Sequence, residues 1–172
     1  LTPVEAGDLK GERTMYGHLV ELNKLIWAGE PKSYSGAALA DKYVSLKHYG
    51  QLTIVIITGA WAAGTAAVTL KQATAVAGTG TKALAFTDYW DDLTTSGTLA
   101  KKAASSNTFN LDTANKMYVI HVDDRMLDVA GGFDCVTLAV ASPGANADFY
   151  GVAYILGDVR YQQATPPSAL ID

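Results

Sequence analysis

Four aspartates, Asp123, Asp124, Asp128 and Asp134, fall within twelve residues, with Gly131 and Gly132 among them. Hard cations such as Ca²⁺ take several oxygen ligands from a flexible loop, so this run is the candidate cation site of the chain. It lacks the Asp-x-Asp-x-Asp-Gly spacing that gives such a loop its force. Asp91-Asp92 is a second acidic pair, and paired carboxylates are the acid and base of glycoside hydrolysis. The ordinary fate of aspartates in such settings is to cap turns and strand ends. Trp61, Tyr89 and Trp90 fall near loops and offer flat faces on which a sugar could stack, although aromatics are equally expected there as core and rim residues.

The remaining reactive side chains form no constellation. His18, His48 and His121 have no second histidine two to four residues away, so His-x-His and His-Glu-x-x-His metal pairs are absent. No serine sits in Gly-x-Ser-x-Gly. Gly78-x-Gly80 lacks the third glycine of a dinucleotide fingerprint, and no Gly-x-x-x-x-Gly-Lys-Ser/Thr phosphate loop occurs. Cys135 is the single cysteine, which excludes an intrachain disulfide and a cysteine zinc site. Its setting, Asp-Cys-Val-Thr-Leu-Ala-Val, reads as a buried strand. No residue is therefore assigned a catalytic, cofactor-binding or metal-binding role, and the chain is expected not to be an enzyme.

Composition narrows the partners. Hydrophobic residues make up 49% of the 172, enough for a core in one domain. Charged residues are 17%, below the usual quarter or so, so much of the surface is neutral. The net charge of −4 argues against general nucleic-acid binding, which needs clustered cations to displace counterions. Lys101-Lys102 is the nearest thing to a basic cluster and reads as a solvated loop. No stretch reaches the ~18 apolar residues of a membrane span, and the first residues show no basic-then-apolar signal pattern.

The elements that must position these residues change character along the chain. In residues 1–42, Tyr16, Leu19, Val20, Asn23, Ile26 and Trp27 recur at helical spacing, and Ala28-Gly29-Glu30-Pro31 would end a helix. Residues 13–27 are read as a short helix or an extended arm, which either docks on a partner subunit or covers an open face of its own fold. Residues 43–161 carry alternating apolar runs separated by turn residues. Lys47-His48-Tyr49-Gly50 reads as a break. Leu52–Thr58 is β-branched and apolar on both faces, hence a central strand. Ala67–Gln72 alternates with Val68 and Leu70 inward, and Ala83–Trp90 reads as one strand with Leu84 and Phe86 inward. Residues 91–107 read as a loop around one short strand, and Phe109–Leu111 as an edge strand. Met117–Val122, Cys135–Val140 and Asp148–Leu156 complete the set, with one helical turn after Asp123. The tail, 162–172, contains Pro166-Pro167 and reads as extended. Seven or eight strands with no room for crossover helices specify an all-β, antiparallel β-sandwich of jelly-roll or Greek-key type.

Several phrases carry a resemblance. Tyr43-Val-Ser-Leu-Lys-His-Tyr49, the run from Val68 through Ala77-Gly-Thr-Gly80 to Leu84, Leu127-Asp-Val-Ala-Gly-Gly-Phe-Asp-Cys135, Gly144-Ala-Asn-Ala147 and Arg160-Tyr-Gln-Gln-Ala-Thr-Pro-Pro-Ser-Ala-Leu-Ile171 are similar to a family of small tailed-phage virion proteins. The resemblance spans residues 43–172. It implies a virion structural protein that decorates and cements the capsid by bridging subunits of the major capsid protein. It also implies a homo-oligomer, of which a trimer is one fitting state, with 1–42 and 162–172 as anchoring arms. The competing readings are a carbohydrate-binding or host-facing module and a tail or connector protein.

Overall fold

A computed structural model describes residues 18–93, 96–160 and 166–171. Residues 1–17, 94–95, 161–165 and 172 lie outside the described residues, and with them part of the N-terminal arm and part of the tail.

Alternation of apolar and polar residues generates two packed antiparallel sheets. The first contains β1 (Lys24–Ser33), β3 (Tyr49–Thr58), β6 (Asp88–Leu93), β7 (Ala100–Ala103), β9 (Lys116–Asp123) and β11 (Phe149–Val159), in the order β1-β11-β3-β9-β6-β7. The second contains β2 (Val44–Ser45), β4 (Ala66–Ala73), β5 (Lys82–Leu84) and β10 (Cys135–Val140), in the order β2-β10-β4-β5, with β8 (Phe109–Leu111) paired to the other end of β4. The chain passes between the layers repeatedly, as Greek-key sandwiches do. The fold is an all-β sandwich.

The inward faces are those that period two demands. Leu52, Ile54 and Ile56 of β3 face Val136, Leu138 and Val140 of β10 across the core, flanked by Val152, Tyr154 and Leu156 of β11 and Ile120 and Val122 of β9; all are buried. Val68, Leu70, Leu84 and Phe86 point inward and Cys135 is buried, as the alternation requires.

One polar contact ties the two layers together. β10 pairs with β4 along its length, but β2 covers only Cys135 and Val136 on the other side. The Leu138 N–H beyond β2 donates instead to the Tyr154 hydroxyl oxygen of the opposite sheet, at 2.7 Å, with both residues fully buried. That bond satisfies a backbone donor that would otherwise be stranded in the core.

The structure revises several expectations. Residues 13–27 do not form one helix: only Leu19–Leu22 (α1) is helical, and Lys24–Ser33 is a strand. The 1–42 arm is thus in part integral to the sandwich, because β1 pairs with β11 from Lys24↔Leu156 to Ser33↔Phe149 and extends the sheet edge without covering a face. The break at Lys47–Gly50 is shorter than expected, since β3 already begins at Tyr49. Ala83–Trp90 is two strands in different sheets, because the chain crosses between layers at Ala85–Thr87 while Phe86 stays in the core. The described part of the tail is docked on its own body: the Ser45 N–H donates to the Ala169 carbonyl at 2.8 Å, the Tyr49 hydroxyl donates to the Pro167 carbonyl, and Ala169 is buried.

Two predictions follow from the tyrosines. Tyr154→Phe keeps the ring and strands the Leu138 N–H, so urea denaturation should show a loss of about 1–3 kcal/mol; no loss would remove the strut. Burial pushes the Tyr154 phenol up to about 12 from 10.0 and also raises Tyr34, Tyr49, Tyr89, Tyr118 and Tyr150. The unfolded chain ionises first, so the stability these groups contribute is complete below pH 10 and is lost as pH rises toward 12. Most of the phenolate absorbance should therefore rise in a cooperative step that coincides with unfolding, and ionisation of these six tyrosines in the folded chain would contradict this.

Candidate functional site

The residues singled out for chemistry are held apart, each in a local structural task. Asp123 accepts from the Arg125 N–H at 2.9 Å at the start of a 3₁₀ turn, Asp124–Met126. Asp124 pairs with Arg160. Asp128 accepts from the Gly131 N–H at 3.0 Å, within a second 3₁₀ turn, Val129–Gly131, and pairs with Lys82. These bonds hold the carboxyls of Asp123 and Asp128 below the usual carboxylate range, led by the backbone N–H for Asp123 and by Lys82 for Asp128. Asp134 lies beside the Cys135 thiol, 3.1 Å away. Among the described residues no group of three or more His, Cys, Asp or Glu side chains converges in the manner of a metal site.

Asp91 and Asp92 are successive strand residues and point to opposite faces. Asp91 faces inward, where Lys116 pairs with it at 2.7 Å, and Asp92 faces out beside Ser96. The aromatics also diverge. Tyr89 stacks on Phe109 at 4.0 Å inside the sandwich rim, Trp90 lies on the outer face with Lys101 5.7 Å above its ring, and Trp61 packs 6.5 Å from Tyr150 at the opposite end of the core. Trp61, Tyr89 and Trp90 thus form no single platform. His121 faces outward on β9.

The feature left without a task is apolar. β3 is hydrophobic on both faces, and a two-layer sandwich can cover only one. The outer face of the six-stranded sheet therefore carries a row in register across neighbouring strands, Trp27–Ala153–Val55–Val119–Trp90, which ends on Lys101. Beside it lie Leu25 and Ile155 on one side and Ile57, Met117 and Phe149 on the other. Trp27 is 60% exposed and Ile57 51%. Monomeric proteins seldom leave a contiguous patch of several hundred Å² uncovered without an interaction to explain it.

The patch deepens at one end into a groove of about 280 Å³. Trp27, Pro31, Val55, Ile57 and Phe149 form its walls, and Gly59 and Gly151 its floor. A Cβ on Gly151 would stand 3.0 Å from Pro31 Cβ, so a side chain there would fill the close approach of β1 to β11. The other flank of β1 is closed within the chain: a Cβ on Gly29 would stand 2.6 Å from Leu39 Cδ1, and Lys42 Nζ donates to the Trp27 carbonyl at 2.6 Å. The free surface of β1 is thus its outward face. Trp27 falls by its spacing in a helix or arm, and Phe149 falls in the Asp148–Leu156 strand with no role of its own. The available signal was the outward set Phe149, Ala153 and Ile155 beside the two-faced Leu52–Thr58.

No family model matches the chain, and no curated protein matches it. Two solved structures are similar. One is described as SPBc2 prophage-derived protein YomS, at 14% identity and a TM-score of 0.42, covering 78% of this chain and 93% of that one. The other is described as the structure of infectious bursal disease virus Gx strain, at 10% identity and a TM-score of 0.25, covering 78% of this chain and 39% of that one. Neither score reaches a shared fold, and neither bears on what this chain does.

The two-faced reading of β3 is open to a paired substitution in dilute solution. Ile57→Thr keeps β-branching on the exposed face and should change stability by less than about 0.5 kcal/mol. Ile56→Thr, one residue away in the core, buries an unpaired hydroxyl and should cost about 2 kcal/mol or more. Equal costs by urea denaturation would refute the assignment of faces.

Proposed function

We propose that this chain is a non-enzymatic virion structural protein that decorates and stabilises a phage capsid by bridging subunits of the major capsid protein. The observation that carries the reading is the exposed apolar face of the six-stranded sheet. A sandwich that commits its clustered aspartates to its own turns and rim, and that leaves an apolar sheet face exposed among the described residues, suits a part that becomes covered in an assembly. The similarity of residues 43–172 to small tailed-phage virion proteins supports the particle as that assembly. Such a part needs rigidity more than chemistry, and the ion pairs and caps of the 123–134 loop serve rigidity.

Particle fractionation tests this. The chain should copurify with DNA-filled heads at a copy number that matches a lattice site, and heads lacking it should lose their DNA at lower temperature. Recovery only with tails, or only with the unassembled fraction of infected cells, would reject the reading.

A further inference from the structure

Lys116 and Asp91 meet on the inner face of the six-stranded sheet. β6 and β9 are antiparallel neighbours, with Asp91 opposite Tyr118. Period two puts Tyr89 and Asp91 of β6 on the same side as Lys116 and Tyr118 of β9. Lys116 lies two residues from the partner of Asp91, a diagonal position that a long side chain can reach across. Its Nζ stands 2.7 Å from Asp91 Oδ2.

Burial sets this pair apart from the other described lysine–aspartate pairs. Its side chains are 18% and 10% exposed, whereas those of Lys71–Asp41, Lys82–Asp128 and Lys101–Asp88 are all a third or more exposed. Aromatic rings flank it. Lys116 Nζ lies 5.1 Å from the centre of the Tyr118 ring, Tyr118 is 5.5 Å from Phe109, and Phe109 stacks on Tyr89 at 4.0 Å. The lysine backbone is anchored as well: its N–H donates to the buried Thr58 Oγ1 at 2.9 Å, and Thr58 Oγ1 donates to the Thr113 carbonyl at 2.7 Å. Burial raises the phenols of Tyr89 and Tyr118, and the carboxylates of Asp91 and Asp112 raise both further, so a third carboxylate stands near the same rings.

We propose that Lys116 and Asp91 condense to an amide, an internal isopeptide link between β6 and β9. The Lys116 nitrogen forms a bond to Asp91 Cγ, one Cγ–O bond breaks, and that oxygen leaves as water with two protons from the ammonium. An ion pair becomes a neutral amide, so atoms and charge balance with no co-reactant. Two constraints favour the step. Groups held in place react as one molecule, with effective molarities of about 10⁵–10⁸ M where the approach is aligned. Buried ions also carry a desolvation penalty that a neutral amide lacks, and excluding water removes the reagent for reversal. The three exposed pairs lack the second advantage. The link closes residues 91–116 into a loop that carries β7 of one sheet and β8 of the other. It forms once per chain and turns nothing over.

Mass spectrometry of the full chain, denatured after folding, tests this. The wild type should weigh one water less than its sequence requires. Digestion should release a branched peptide that joins the segment holding Asp91 to the segment holding Lys116. Lys116→Arg keeps a cation beside Asp91 but not the reacting amine, so it should have its full mass, and Lys116→Met serves if that variant unfolds. A wild type that keeps its full mass after prolonged incubation would overturn the proposal. So would a lost water that persists in Lys116→Arg, or one that maps within a single peptide as a succinimide does. The link is read in the isolated chain, so it stands or falls separately from the capsid role.

Discussion

A strand with apolar residues on both faces cannot be satisfied by a fold of two layers. β3 is such a strand, and the sandwich depends on how the conflict is resolved. Period two sends Leu52, Ile54 and Ile56 to one side and Val55 and Ile57 to the other. A slip of one residue would exchange the two sets, so the register of β3 against β11 and β9 must be held firmly. Tyr154 does part of this: its ring fills the core, and its hydroxyl receives the Leu138 N–H from the opposite sheet. What the core takes from β3 on one face it leaves exposed on the other.

The polar residues are spent in a different way. Asp123, Asp128 and the inward Asp91–Lys116 pair each settle a local turn or rim. The outer face is the larger reserve of free energy. Four strands by eight residues span roughly 19 by 26 Å, about 500 Å² in projection. Polar side chains, among them Thr53, His121 and Asp92, share that face, so at about 25 cal/mol per Å² of apolar surface covering it yields well under roughly 12 kcal/mol gross. Association alone costs about 4–15 kcal/mol, so the flat face gives modest affinity and additional contacts decide the outcome.

Much of the sandwich was legible because alternation is a strong pattern. Cys135–Val140, the Met117–Val122 core of β9 and the inward set Tyr150, Val152, Tyr154 and Leu156 follow from it directly. β1 was not legible, because Leu19, Val20, Ile26 and Trp27 happen to fit a helical period, and an edge strand with Pro31 and register shifts near Gly29 does not alternate. The division of 82–93 into two strands was hidden for another reason: Leu84 and Phe86 keep the inward rhythm while the backbone leaves one sheet for the other. The candidate site was half visible. Leu52–Thr58 reads as a central strand and is one, but the sequence does not say whether its second apolar face is covered, as it would be in a sheet buried on both sides.

The central claim is that the outer face of the six-stranded sheet is covered in the working state. Hydroxyl-radical footprinting tests it at single side chains, by comparing the dilute chain with the chain in its assembled form. The account predicts that Trp27, Met117 and Phe149 lose most of their labelling on assembly while an exposed residue away from that face, such as Val129 in the Val129–Gly131 turn, keeps its own. Unchanged labelling of Trp27 and Phe149 in the assembled form would contradict it.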